Sequence, residues 1–307
     1  MRSIRVITVV VLLVGSAFAA AERAVMQREA SLYVSPDVKS QKLGKVLRGR
    51  EVVVIETSRT FVKVLAELDN NRNVSGWIVD KGVVRASTPN GDKVLFGEAV
   101  YAESEATRRG GRKGADREAL RLYYRTAEYF PKSDIAGEAL WRAADIRWQL
   151  EKADVMTRRS AKEIDPKLRG EINEEWMKEV QKKFPGTKWA SLAAYARLDR
   201  KLCGEWQGLP KCPENEAEMY QEYVKEHPQS PKAAEALYEA AWRQAALVEI
   251  YRERGDNGKA EAAKTKARAL AQQIISQSSQ HGDWVFRAQR LAYMLDQGIP
   301  TYGPALE

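Results

Sequence analysis

Cys203 and Cys212 are the only cysteines of this 307-residue chain, and His227 and His281 are its only histidines. These are the side chains that could do nucleophilic, redox or metal chemistry. Two thiols flanking residues 204–211 can close a disulfide-bonded loop, and a thiolate beside an imidazole can act as a nucleophile. A catalytic triad would have to use one of two histidines, and few side chains are left to ligate a metal. The chain has no Gly-x-Ser-x-Gly elbow, phosphate-binding loop, His-Glu-x-x-His pair or dinucleotide fingerprint. The expectation is therefore a protein without catalytic residues, metal or cofactor: a binding protein, not an enzyme.

Which thiol chemistry applies depends on the compartment. The chain opens Met1-Arg2-Ser3-Ile4-Arg5, continues with an apolar run over residues 6–14, and passes through Ala17-Phe18-Ala19 and Ala19-Ala20-Ala21. A basic start, a short apolar core and a small-x-small end make a secretory signal, cut after Ala19 or Ala21. The apolar run is shorter than the ~20 residues that span a bilayer. No cysteine stands near the cut to accept lipid, so the mature chain is expected in the periplasm or outside the cell without a stable membrane anchor. In that oxidising setting Cys203 and Cys212 should pair. Removing residues 1–21 takes away Arg2 and Arg5 and no acid, lowering the net charge of +8 by two. An exported chain with so modest a positive charge argues against a nucleic-acid partner. With 44% hydrophobic and 30% charged residues the composition is globular rather than disordered.

The elements that must position any site fall into two kinds. Residues 30–34, 51–56, 60–65 and 74–79 are β-branched runs cut by Ser35-Pro36-Asp37, Arg48-Gly49, Thr57-Ser58-Arg59 and Asp69-Asn70-Asn71. They predict a small closed barrel over residues 25–86. Leu32-Tyr33-Val34, Leu43-Gly44-Lys45-Val46, Leu47-Arg48-Gly49, Val52-Val53-Val54-Ile55, Phe61-Val62-Lys63-Val64 and Gly76-Trp77-Ile78 follow one another as in the bacterial SH3-like domain, which this segment of about 60 residues resembles. That resemblance implies binding of peptidoglycan or of peptides in the cell envelope. Where the family usually has an Arg-x-Gly-Pro-type turn bordering its groove, this chain has Ser35-Pro36. Tyr33 and Trp77 are the groove candidates, since an aromatic face with a polar edge suits sugar or peptide contacts. The alternative is that Trp77 packs the barrel and Tyr33 lies on its outer face.

Residues 87–116 read as a join, with Arg108-Arg109-Gly110-Gly111-Arg112-Lys113-Gly114 too rich in glycine and charge to build a packed element. From 117 to 298 the pattern is helical and repeats. Pro131, Pro185 and Pro228 each begin a Pro-x-Ser/Thr-x-x-Ala-x-x-Ala motif, and each is preceded eight residues earlier by Tyr123, Met177 or Tyr220. Proline should end one helix at Phe130, Phe184 and His227. Ser133, Thr187 and Ser230 then stand as N-caps of the next helix, with Pro231 at a first helical position. The paired alanines give that helix a smooth face against which Tyr123, Met177 and Tyr220 can pack. Helices over 259–280 and 284–297 should close the array before a tail at 299–307.

These hairpins resemble tetratricopeptide repeats, especially those of Gram-negative envelope proteins, although the prolines are spaced irregularly because of insertions around residues 153–173 and 203–213. The resemblance implies that the first helices line a protein-binding groove. Arg121, Tyr124, Lys178, Gln181 and Gln221 are the residues expected there, pointing away from the pair interface. The SH3-like family often accompanies cysteine peptidases of the cell wall, so Cys203 with His227 merits weighing. Neither residue lies in a strand–turn–helix context that would activate a thiolate. The chain thus reads as a non-enzymatic envelope scaffold, the barrel touching cell wall or peptide and the helices holding a protein. The alternative is an accessory or catalytic component of a wall-remodelling enzyme.

Overall fold

The computed structural model describes residues 22–69, 71–276 and 282–303; the segment expected to be a secretory signal and His281 lie outside them. The chain divides into two compact units at Pro89 and Asn90.

The first unit is one antiparallel sheet of seven strands: β1 (Glu22–Met26), β2 (Ala30–Tyr33), β3 (Lys42–Val46), β4 (Glu51–Ser58), β5 (Phe61–Glu67), β6 (Asn73–Val79) and β7 (Val83–Arg85). Their order is β3-β2-β6-β5-β4-β1-β7. Every strand contributes to a single core that includes Met26, Leu32, Val46, Val52, Val62, Val64, Ile78 and Val83. One core shared by seven strands requires the sheet to coil on itself, as the right-handed twist of strands favours. β5 shows the two-residue alternation that drives this, with Val62, Val64 and Ala66 buried and Leu65 exposed.

Two expectations need correcting here. Strands β1, β3 and β7 escape a pattern search because they are short and carry charge or glycine. The ladder is also open rather than closed, with β3 and β7 as its edges. At the free side of β3 a single backbone bond, Asp69 N–H to the Lys45 carbonyl at 3.0 Å, stands where a closing ladder would run.

The second unit is helical: α1 (Gly91–Thr107), α2 (Ala115–Tyr129), α3 (Ala136–Met156), α4 (Glu175–Lys183), α5 (Lys188–Asp199), α6 (Lys211–Glu226), α7 (Ala233–Glu253), α8 (Asn257–Ser276) and α9 (Gly282–Gln297). Most of the supposed join is thus α1. Its buried Leu95, Ala99 and Ala102 recur at helical spacing, but small side chains make that stripe faint beside the acids between them. The glycines that suggested looseness instead shape a tight helix–helix turn. Gly110 and Gly114 adopt φ of 72° and 81°, where an L side chain is strained. A Cβ on Gly111 would fall 2.0 Å from the Glu105 carbonyl oxygen.

The three repeated motifs form three hairpins, α2–α3, α4–α5 and α6–α7. Phe130, Phe184 and His227 share one backbone conformation, with φ between −126° and −130° and ψ between 52° and 57°. In each, the carbonyl then accepts the N–H of Ser133, Thr187 or Ser230, closing a turn with proline in second place. Thr187 caps α5 as expected, its Oγ1 accepting from Ala190 N–H at 3.3 Å. Ser133 and Ser230 act earlier, accepting from Ile135 and Lys232 N–H at 3.4 and 3.1 Å. A tighter i→i+3 turn, Ala136 N–H to Ser133 and Ala233 N–H to Ser230, delays the α-ladder, so Pro231 precedes α7 rather than opening it. Tyr123, Met177 and Tyr220 are buried in the hairpins. The array ends at Gly298, whose φ of 68° lets Ile299 N–H return to the Met294 carbonyl.

Candidate partner-binding surfaces

On the outer face of the sheet, Tyr33 and Trp77 are directly paired across β2 and β6. Their chain neighbours Leu32 and Ile78 point into the core, so alternation puts both rings on the opposite side. Tyr33 is 8% exposed, Trp77 is half-buried, and Lys63 faces Trp77 from β5. The Lys42 ammonium lies 6.0 Å from the Tyr33 ring centre. Trp77 therefore does not fill the core. Gly76 is what brings β2 close: a Cβ there would lie 2.8 Å from both Leu32 Cγ and the Tyr33 carbonyl oxygen.

The five residues expected to line one groove in the helical unit are spread over several. Tyr124 on α2 stacks on Trp176 of α4 at 4.5 Å and 17° and borders a small cavity with Glu179, Lys183 and Phe184. Gln181 accepts from Arg197 at 2.8 Å and lines a separate groove of about 530 Å³ with Glu218 and Glu222 of α6. Gln221 lines a third groove with Tyr251 of α7 and Lys259 of α8. Lys178 is exposed and pairs with Glu174 at 3.4 Å. Glu174 also receives Arg197 at 2.8 Å; although burial pushes its carboxyl up, these two cations hold it below the usual range. Arg121, one position from Leu122 in the core, is half-buried and borders none of these three grooves. First helices α2, α4 and α6 thus each border a groove, and the last two grooves adjoin along α6, where both are lined by Asn215 and Glu218.

Cys203 and Cys212 are joined by a disulfide, with Cα atoms 6.1 Å apart. The loop between them is a folded plug. Glu216 Oε1 accepts from Cys203 N–H at 2.8 Å and from the Trp206 indole at 3.4 Å. Its other oxygen accepts from Arg243 Nε at 2.7 Å. The Trp206 ring packs against Trp242 at 5.0 Å and Tyr302 at 5.5 Å, so part of the expected tail is docked. His227 lies beside Tyr223 and ends a helix, which fits its place in the repeat motif.

Sequence reasoning missed a further cleft, bounded by α3, α5 and α7, with a volume of about 520 Å³. Trp141 of α3, stacked on Trp189 at 5.2 Å, and Tyr195 of α5 form its aromatic wall. Asp145 reaches it from α3. Burial raises the Asp145 carboxyl, against a weak opposing contribution from Gln149, and the field of Glu103 adds to the rise. Desolvation likewise lifts Tyr195 and Tyr220, so both stay neutral, and the Tyr195 hydroxyl donates to Glu235 at 3.1 Å. A tryptophan and an aspartate four apart could have signalled a lined helix face, but acids on helices are too common to single one out.

Among the described residues no helix is long and apolar enough to cross a membrane. No family model and no curated protein matches the chain. Among solved structures, the de novo designed helical repeat protein DHR64 is 19% identical, covering 68% of this chain and 94% of its own, with a TM-score of 0.25. The DHF79 filament is 20% identical over 66% of this chain and 96% of its own, with a TM-score of 0.26.

Proposed function

We propose that this protein is a non-enzymatic binding scaffold of the cell envelope. In this reading the helical hairpins are tetratricopeptide-like and hold a protein partner, and the sheet is an SH3-like module that contacts cell wall or an envelope peptide. The observation that carries it is the succession of open grooves, each bordered by a first helix and exposing Tyr124, Gln181 or Gln221. Stacked helix pairs offer extended surfaces of this kind to other chains. The Cys203–Cys212 bond supports export, and the paired Tyr33 and Trp77 support a ligand face on the sheet.

The test is co-purification from envelope extract of the native host. A specific partner retained by the intact chain should be lost on charge reversal at Glu218 and Glu222, exposed residues of the groove that Gln181 lines, with helical circular dichroism and melting temperature unchanged. Retention unaffected by both reversals sinks the groove assignment. For the sheet, the intact chain should sediment with purified peptidoglycan, and less so after Trp77→Ala or Tyr33→Ala; a chain that stays in the supernatant removes the wall contact from the proposal.

A further inference from the structure

The cleft between α3, α5 and α7 has an unbalanced charge inventory. Four carboxylates line it, Asp145, Asp199, Glu235 and Glu239, against three cations, Lys152, Lys232 and Arg243. Lys152 pairs with Asp199. Lys232 pairs with Glu235 at 2.6 Å. Arg243 pairs with Glu239 at 2.5 Å and with Glu216 at 2.7 Å. Asp145 is left over. Among the described residues it receives one weak donor, the Gln149 amide on Oδ1 at 3.5 Å, and its Oδ2 receives none.

A half-buried carboxylate without a cation carries a desolvation cost that an incoming positive charge removes. What surrounds Asp145 selects which charge. A metal ion needs several oxygen ligands, and here one carboxylate is free. The walls are Trp141, with one face stacked on Trp189, the buried Trp148, and Tyr195, whose ring already attracts the Lys232 ammonium at 5.4 Å; such ring faces attract cations and stack on planar ones. The same cleft already houses one such arrangement: the Arg243 guanidinium lies 4.6 Å from the Tyr220 ring centre while bridging two carboxylates. A guanidinium can use both oxygens of Asp145 through its fork and lie flat on an indole, which an ammonium cannot.

We propose that this cleft binds an arginine side chain presented by a partner protein, with the guanidinium held between Asp145 and the aromatic wall of Trp141 and Tyr195. The cleft is lined mainly by second helices, with Tyr220 of α6 on its floor, and shares no lining residue with the first-helix grooves assigned above, so either assignment can fail without the other.

The test uses the intact chain, with indole N–H resonances followed by ¹⁵N correlation spectroscopy during titration with acetyl-arginine amide. Saturable shifts are expected at Trp141 and Trp148, with no saturation by acetyl-citrulline amide, the neutral isostere. Asp145→Asn should weaken binding at least tenfold. Gln149→Lys supplies an internal ammonium one turn along α3 and should do the same while keeping the helix, so it decides the matter if the first variant folds poorly. Absence of saturable shifts, equal binding of the citrulline compound, or unchanged affinity in folded variants overturns the site. Equal binding of acetyl-lysine amide overturns the arginine assignment. Loss of the envelope partner on Glu218 and Glu222 reversal is a separate measurement and leaves this outcome untouched.

Discussion

Arg243 Nε donates to Glu216 Oε2 at 2.7 Å with the two side chains only 6% and 2% exposed. The pair couples α7 to the disulfide loop, because the other Glu216 oxygen holds Cys203 and Trp206. Taking Arg243 away strands the Glu216 charge, and taking Glu216 away leaves Arg243 with Glu239 alone, in a site from which water is largely excluded. Glu216→Ala or Arg243→Ala should therefore cost about 3–5 kcal/mol in urea unfolding. Replacing both with apolar residues of similar volume should cost less than either single change. A double variant as damaged as the sum of its singles would contradict this coupling.

The disulfide closes a short loop, so its entropic contribution is bounded. Cys203→Ser with Cys212→Ser should lower unfolding stability by about 2.5–3 kcal/mol. Since Glu216 and the Trp206–Trp242 contact also hold the plug, tryptophan fluorescence below the transition should stay close to wild type. A large red shift before unfolding would show that the bond alone keeps Trp206 buried.

Asp145 makes stability depend on pH in the direction opposite to a paired carboxylate. Burial, with the nearby Glu103 charge, raises its folded pKa above the unfolded value. The folded state therefore takes up a proton before the unfolded state does, and this group's contribution improves as pH falls through the raised value. Asp145→Asn should raise Tm at pH 7, and the gain should vanish below about pH 4, where the unfolded carboxyl also protonates. A variant less stable than wild type at pH 7 would contradict the assignment. The cleft's other acids, Asp199, Glu235 and Glu239, are each paired with a cation.

Gly76 sits where two strands approach most closely. Gly76→Ala forces a methyl onto the Tyr33 carbonyl, which cannot move away as a side-chain end could. A loss of about 1–3 kcal/mol is expected, read as an earlier denaturation of the sheet signal in circular dichroism. The Tyr33–Trp77 pairing should be disturbed with it, so if the proposed wall contact holds, sedimentation with peptidoglycan falls in the same variant.

Legibility of the fold followed the strength of local signals. The prolines after Phe130, Phe184 and His227 stop helices by covalent constraint, and those hairpins could be placed to within a residue or two. Helix α1 was hidden because its buried face is Leu95, Ala99 and Ala102, too small to stand out. The glycines before α2 could signal either a loose join or a tight turn, and only the crowding at Gly111 separates the two. The cysteine pairing was readable from number and the expected compartment, whereas its anchoring by Glu216 depends on contacts 13 residues away. Trp77 and Tyr33 were singled out, but which side of the sheet they occupy depends on register. The Asp145 cleft was invisible because it exists only once three helices distant in sequence stand together.

The turn shared by Phe130, Phe184 and His227 has the same length in every hairpin, while the connections leading to the next hairpin vary freely. All the added chain, residues 157–174 and 200–210, therefore emerges at one end of the helix pairs. There the additions meet: Gly204 N–H donates to the Ile164 carbonyl at 3.1 Å, and Arg169 donates to the Leu202 carbonyl at 3.0 Å. Tyr302 joins them through Trp206. Segments from three places in the chain thus knit a brace along one rim. New sequence at that rim can be accommodated without changing how its helices stack.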